Sequence, residues 1–225
     1  MGKSVVFPAD NRGLNPKEIT IAEILKQAGY ATGCFGKWHL GDQPRFMPLA
    51  QGFDEYEGIP YSNDMWVRGN PKRKYPPLPW IKGNQAVAHI PDPENQALIT
   101  DAITDAAVHF INQNKDKPFF VWFNSTRMHF WTHTPEEEEG LSGQGFYNDA
   151  MVGHDNLVGR LLNQLDELGI ADNTIVFYST DNGPHFNTWP DAAITPFRSE
   201  KNTNWEGGFR VPAMVRWPGK IPAGP

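Results

Sequence analysis

Apolar residues along this chain follow two alternating patterns. Ile21, Ile24, Leu25 and Ala28 share one helical face, and Gly29 suits a helix stop. Thr20-Ile21-Ala22-Glu23 reads as a capping box, in which Thr20 and Glu23 each satisfy the other's free backbone N–H. The helical period returns over 97–114 through Leu98, Ile99, Ala102, Ile103, Ala106, Phe110 and Ile111. It returns again over 147–168 through Met151, Leu157, Val158, Leu161, Leu162, Leu165 and Leu168, with Gly169 behind them. Between the helices lie unbroken apolar runs, Phe119-Phe120-Val121-Trp122-Phe123 and Thr174-Ile175-Val176-Phe177-Tyr178. Runs without polar alternation fit strands covered on both faces of a parallel sheet, and helix–strand alternation predicts an α/β fold. The pattern dissolves into Trp, Pro, Lys and Arg over 65–96, which predicts a long surface loop or insertion. The stretch 183–208 also reads as loop.

Length and composition narrow the classes. A chain of 225 residues, 39% hydrophobic and 12% aromatic, is long enough for one α/β domain with a sizeable core. A net charge of -6 argues against broad affinity for nucleic acid. The single cysteine, Cys34, excludes an intrachain disulfide. No run of 18 apolar residues predicts a membrane span. Met1-Gly2-Lys3-Ser4 runs straight into Val5-Val6-Phe7-Pro8, without the basic start and apolar stretch of a signal peptide.

The informative polar residues follow the predicted strands. Asn124-Ser125-Thr126-Arg127-Met128-His129 follows the first run, and Ser179-Thr180-Asp181-Asn182-Gly183 the second. The carboxyl ends of parallel strands form the ligand crevice of open sheets. Asp181 and Asn182 carry hard oxygen donors suited to Ca²⁺ or Mg²⁺, although Asp-Asn-Gly is equally an ordinary turn sequence. In Gly36-Lys37-Trp38-His39-Leu40-Gly41, an extended backbone puts Lys37 and His39 on one face. A cation beside an imidazole can hold an anion and move a proton; a snorkelling lysine and a hydrogen-bonded core histidine is the other reading. His129 and His133 have the spacing of a helical metal pair, but Phe130, Trp131 and the preceding strand argue against a helix there.

Taken together these segments resemble the sulfatase family, in its arylsulfatase-like branch. The run from Gly29 to Gly41 is similar to the family's second signature. Gln51-Gly52-Phe53-Asp54 and Gly58-Ile59-Pro60-Tyr61-Ser62 resemble the segment after it. Thr126-Arg127-Met128-His129, Asp181-Asn182-Gly183, and Lys201 with Trp205-Glu206-Gly207-Gly208 and Arg210-Val211-Pro212 resemble later blocks, in the family's order. The resemblance implies an alkaline-phosphatase-like α/β fold, with a mostly parallel central sheet flanked by helices. Residues 1–225 would form a partial catalytic domain. It implies a sulfuric ester hydrolase with a calcium ion and a formylglycine nucleophile. Asp181 and Asn182 would bind the metal, and Lys37 and Lys201 would hold sulfate oxygens. His39 would support the nucleophile, and His129 would protonate the leaving oxygen. These six side chains are expected to converge at the carboxyl ends of the strands. The substrate would be a sulfate-ester small molecule or a sulfated glycan, in a periplasmic, secreted or lysosomal setting.

The sequence departs from the family at three places, one of them that it stops at Gly224-Pro225, before the smaller C-terminal domain that the resemblance implies. No Cys/Ser-x-Pro-x-Arg motif exists: Cys34 is followed by Gly36 at plus two and Trp38 at plus four. Cys34 therefore reads as a small buried residue. The strand that carries the paired metal-binding aspartates in the family is also absent, which leaves the calcium site incomplete, the sheet with exposed edges and the chain alone inactive. Two alternatives stand beside this reading. One is a phosphate or phosphonate ester hydrolase of the same superfamily. The other is a non-catalytic module for anions or sulfated glycans, in which Arg68, Lys72, Arg73, Lys74 and Lys82 act with Trp66, Tyr75 and Trp80.

Overall fold

A computed structural model describes residues 5–68, 72–190, 192 and 194–224. The opening Met1–Ser4, read above for a signal peptide, lies outside them. The first helix, α1 (Ile21–Gln27), begins at its predicted cap. Thr20 Oγ1 accepts from the Glu23 N–H at 3.1 Å, and Glu23 Oε2 accepts from the Thr20 N–H at 2.7 Å. Its predicted apolar face is not its packing face. Ala22 is fully buried, whereas Ile21 and Ile24 are 60% and 54% exposed. Ile21 instead lines an apolar groove with Leu14, Phe53, Phe120 and Trp122.

Strand β1 (Ala31–Lys37) runs through the interior of a five-stranded sheet. It is parallel to β2 (Glu55–Ile59) on one side and to a strand at Phe119–Asn124 on the other. The segment expected as a loop over 65–96 holds a hairpin, β3 (Leu78–Lys82) and β4 (Gln85–Ile90), added antiparallel to β2, and a short helix α2 (Pro93–Ala97). Leu78 and Ile81 face the core, and Gly83, at φ 63°, makes the turn. The aromatic residues of this region have partners within the fold, and Tyr75 and Trp80 pack against the cluster of Ile59, Tyr61 and Leu78. Trp66 is buried, Trp80 donates its Nε1–H to Glu57 at 3.2 Å, and Arg73 stacks on Phe7.

Helix α3 (Ile99–Asn114) covers one face of the sheet, and β5 (Phe119–Asn124) follows it as the edge strand. Strand alternation sorts the side chains between the faces. Phe35 packs with Ala107 and Phe110 of α3 beside Phe119, Val121 and Phe123. Cys34 points the other way, among Ala22, Trp38, Phe53 and Tyr56. Each fully buried aromatic side chain here contributes roughly 1.5–3 kcal/mol. Helix α4 (Phe146–Glu167) lies over α3, where Leu165 meets Ile111.

The second predicted strand forms, as β6 (Val176–Ser179), but not in the main sheet. After the single turn α5 (Glu206–Phe209), β7 (Ala213–Arg216) pairs with it antiparallel in a separate ribbon. Ile175 and Phe177 are 57% and 67% exposed, so the run is not covered on both faces. An apolar run encodes strand propensity; it does not encode which strand will pair with it.

One backbone contact brings the strands together at their carboxyl ends. Gly36 has φ 117°, and a Cβ there would lie 1.9 Å from the Asn124 carbonyl oxygen. Its partner across the sheet, Gly58, would place a Cβ 2.1 Å from the Gly36 oxygen. Glycine at both positions lets three strands converge one residue before Lys37.

Candidate functional site

Polar side chains gather where β1, β2 and β5 end. Lys37 closes β1. Beyond it, the Trp38 and His39 N–H groups donate to Ile59 and Pro60 at 3.0 and 3.1 Å, so the chain continues alongside the exit of β2. His39 turns there with φ 56°, and its ring Nε2 lies 3.0 Å from the Val6 carbonyl. A carbonyl only accepts, so Nε2 carries the proton. Burial, then the Lys37 ammonium, lowers the His39 pKa to about 4.

His129 follows β5 in a turn rather than a helix, so no helical pair with His133 forms. His133 is directed instead at the edge of Trp66. Three oxygens surround His129 Nδ1: Ser62 Oγ at 3.3 Å, the Phe130 carbonyl at 3.3 Å and Asp64 Oδ1 at 3.6 Å. Nε2 makes no hydrogen bond to a described residue. Burial, then the Lys37 and Lys201 ammonium groups, pushes the His129 pKa down to about 2. The ring is neutral at physiological pH, and the Phe130 carbonyl makes Nδ1 the protonated nitrogen.

Lys201 reaches this neighbourhood from the 183–208 segment. Its N–H donates to Pro184 at 2.9 Å, and its ammonium lies 5.6 Å from the Phe130 ring centroid. Phe130 also lies against His129, with ring centroids 4.1 Å apart and the planes tilted by 33°. The Asp181-Asn182-Gly183 turn is braced from beneath. The Gly183 N–H donates to Gly208 at 3.0 Å, and a Cβ on Gly183 would meet the Gly207 oxygen at 1.8 Å. This is why glycines recur in both segments.

Electrostatics links the pieces. Burial lowers the Lys37 pKa first; Asp181 opposes that shift, Lys201 adds to it, and Asp64 opposes it. Lys37, His39, His129, Lys201 and Asp181 thus share one field. The Asn182 side chain, half-buried beside Asp181, makes no hydrogen bond to a described residue. Ser62 and Asp64 are the members that the sequence reading passed over. Tyr61-Ser62-Asn63-Asp64 is the polar stretch after a third strand end, the signal used for β5 and β6, but β2 reads Glu-Tyr-Glu-Gly-Ile and shows no apolar run. Backbone strain marks the same region. Of the five non-glycine residues with positive φ among those described, His39, Trp131, Ser199 and Asn202 are at or within two residues of these groups.

Two cations, two neutral imidazoles and a carboxylate suit a small, highly charged anion. They do not complete a calcium shell. Among the described residues no three His, Cys, Asp or Glu side chains cluster to hold a metal, whereas Ca²⁺ takes six to eight oxygens. Cys34 is fully buried among apolar side chains, and burial pushes its thiol pKa well up, so it is no nucleophile.

The family profile described as Sulfatase matches residues 2–224. Arylsulfatase A of Homo sapiens is 32% identical over 245 residues, spanning all of this chain and 47% of the human protein. N-acetylgalactosamine-6-sulfatase of Canis lupus familiaris is 35% identical over 228 residues, spanning 94% of this chain and 42% of that protein. Among solved structures, PsFucS1 sulfatase from Pseudoalteromonas sp. superposes with a TM-score of 0.87 at 30% identity, over 97% of this chain and 49% of that one. Ps i-CgsB in complex with k-i-k-neocarrahexaose gives 0.79 at 28% identity, over 98% and 52%. The chain spans about half the length of the curated relatives it matches.

Proposed function

This chain belongs to the sulfatase family, and from that premise we propose that its residues form the sulfate-binding and leaving-group side of a sulfuric ester hydrolase site. What supports the proposal is that the Lys37 and Lys201 charges both act on His129 at the ends of β1, β2 and β5, with the Lys201 ammonium 5.6 Å from the Phe130 ring that lies against His129. In sulfuryl transfer an oxygen nucleophile attacks sulfur, and the bond to the leaving oxygen breaks with its electron pair. Lys37 and Lys201 neutralise the equatorial oxygens; once the bound anion offsets their charge and raises the His129 pKa, Nε2 takes up a proton and gives it to the leaving oxygen. In the relatives' full-length setting a formylglycine would supply the attacking oxygen and calcium a further positive charge. Within these 225 residues no motif supplies the first. The substrate class is a sulfate ester, aryl or carried on a sugar.

Calorimetry with inorganic sulfate tests the binding half of this reading. Each charge-assisted hydrogen bond to the anion is worth about 1.5–3 kcal/mol. Lys37→Ala and Lys201→Ala should therefore each weaken sulfate binding roughly ten- to a hundredfold. Equal affinity in both variants and the parent chain would dismiss the pocket.

The same instrument tests the metal. Asp181 and Asn182 offer two or three oxygens, and two ammonium groups stand in the same field. Calcium affinity should be no better than millimolar, the weak end of protein sites. A micromolar site lost in Asp181→Ala would mean that other oxygens complete the shell.

A further inference from the structure

Among the described residues, Asp64 is the one acidic group buried among the cations of this site. It is 8% exposed, and its Oδ1 is a buried oxygen without a hydrogen-bond partner. An unpaired buried acceptor is costly, and more so when charged. Burial pushes the Asp64 pKa up, while the Ser62 hydroxyl, Lys37 and Lys201 pull it back toward the charged form. The unpaired Oδ1 points at one donor: His129 Nδ1, 3.6 Å away and just beyond hydrogen-bond reach.

We propose that Asp64 is the positioning residue for His129, its carboxylate drawing in the Nδ1–H so that Nε2 is the only ring nitrogen free to exchange a proton. The proposal deepens the sulfatase reading and rests on it for the meaning of that proton. The neighbours make the assignment specific. Ser62 Oγ and the Phe130 carbonyl are neutral and lie at 3.3 Å, so either can choose the tautomer but neither can stabilise an imidazolium by charge. Lys37, Lys201 and His39 all oppose a positive ring. Asp64 is the only anion within ion-pair distance of the imidazole among the described residues. Contacts of this kind are commonly long in an empty site and tighten around the reacting state. A carboxylate behind a histidine fixes the ring's tautomer and orientation, and charge-assisted bonds are about twice as strong as neutral ones.

Long-range ¹H–¹⁵N spectroscopy of the histidine rings in the 225-residue chain reads the tautomer directly. His129 should be protonated at Nδ1 by at least about tenfold over Nε2. Asp64→Asn, which keeps shape but loses charge, should cut that preference about threefold or more, and Asp64→Ala further. A parent chain protonated at Nε2, or an unchanged ratio in both variants, overturns the proposal without reference to activity. Sulfate titration supplies the control for damage to the fold. Removing a negative charge from beside Lys37 and Lys201 should tighten sulfate binding several-fold, whereas a role confined to holding the fold predicts weaker binding. A parent chain that binds no sulfate at all would instead count against the sulfate pocket, and the tautomer result would still decide the role of Asp64.

Discussion

Replacing Arg127 with alanine should cost about 3–5 kcal/mol of stability, a large share of what a domain this size possesses. The guanidinium is fully buried beside the site, two residues before His129. Its Nη1 donates to Glu138 Oε2 at 2.6 Å; its Nη2 lies 3.8 Å from Asp101 and 3.5 Å from the Ala97 carbonyl. It therefore ties β5's exit to α3 and to the turn before α4. Gly153 of α4 leaves the room: a Cβ there would lie 2.3 Å from both Arg127 Nη1 and Glu138 Oε2. Truncation leaves the Glu138 carboxylate, 13% exposed, without its partner, and an uncompensated buried charge is the expensive outcome. Arg216→Ala is the control, because its ion pair with Asp166 is open to solvent and worth about 1 kcal/mol or less. Urea denaturation of both variants measures the contrast. A loss below about 1 kcal/mol for Arg127→Ala would mean that the cluster contributes nothing net.

How much of this was readable beforehand depends on how local each signal is. The α1 cap is readable because a capping box is written in four consecutive residues, Thr20 to Glu23. The apolar face of α1 misled, since periodicity says which side chains line up but not whether anything covers them; Ala22 does the packing. The β3–β4 hairpin escaped because Pro76, Pro77 and Pro79 mask the alternation, and because β4 is an edge strand with nearly every residue exposed. The partner of β6 could not be read, since pairing is decided by groups far away in sequence. His129 and Asp181 stood out because each follows an apolar run, and Lys37 because it alternates with apolar neighbours beside His39. Ser62 and Asp64 did not, because β2 is short and carries glutamates at positions 55 and 57.

The isolated chain should not turn over a chromogenic aryl sulfate above background. Positioning and charge stabilisation act on an attacking oxygen, and these residues do not hold one. Cys34 cannot serve, being buried on the sheet face opposite Phe35 with its thiol protonated. No Cys or Ser stands in the modification motif. Burial and the two lysines hold His129 neutral, so even the leaving-group proton is not in place. The expected effect is complete loss of turnover, distinct from the partial losses that follow removal of one of several cooperating groups. Assay of rigorously pure chain checks it. Turnover that disappears in Lys201→Ala would show that an attacking group within this chain had been overlooked.

The most direct measurement is a sulfate titration followed through the ring nitrogens of His129 and His39 and the side-chain ammonium groups of Lys37 and Lys201. Burial and the two lysines hold the His129 pKa down at about 2, and Lys37 does the same to His39 after burial. A bound sulfate cancels the lysine charges and stabilises a positive ring, so both histidine pKa values should rise. The predicted result is one saturating transition, shared by all four side chains, with His129 shifting upward by at least about one pH unit. Shifts confined to exposed lysines such as Lys74 and Lys82, with His129 and His39 unmoved, would contradict the existence of a sulfate pocket at the strand ends.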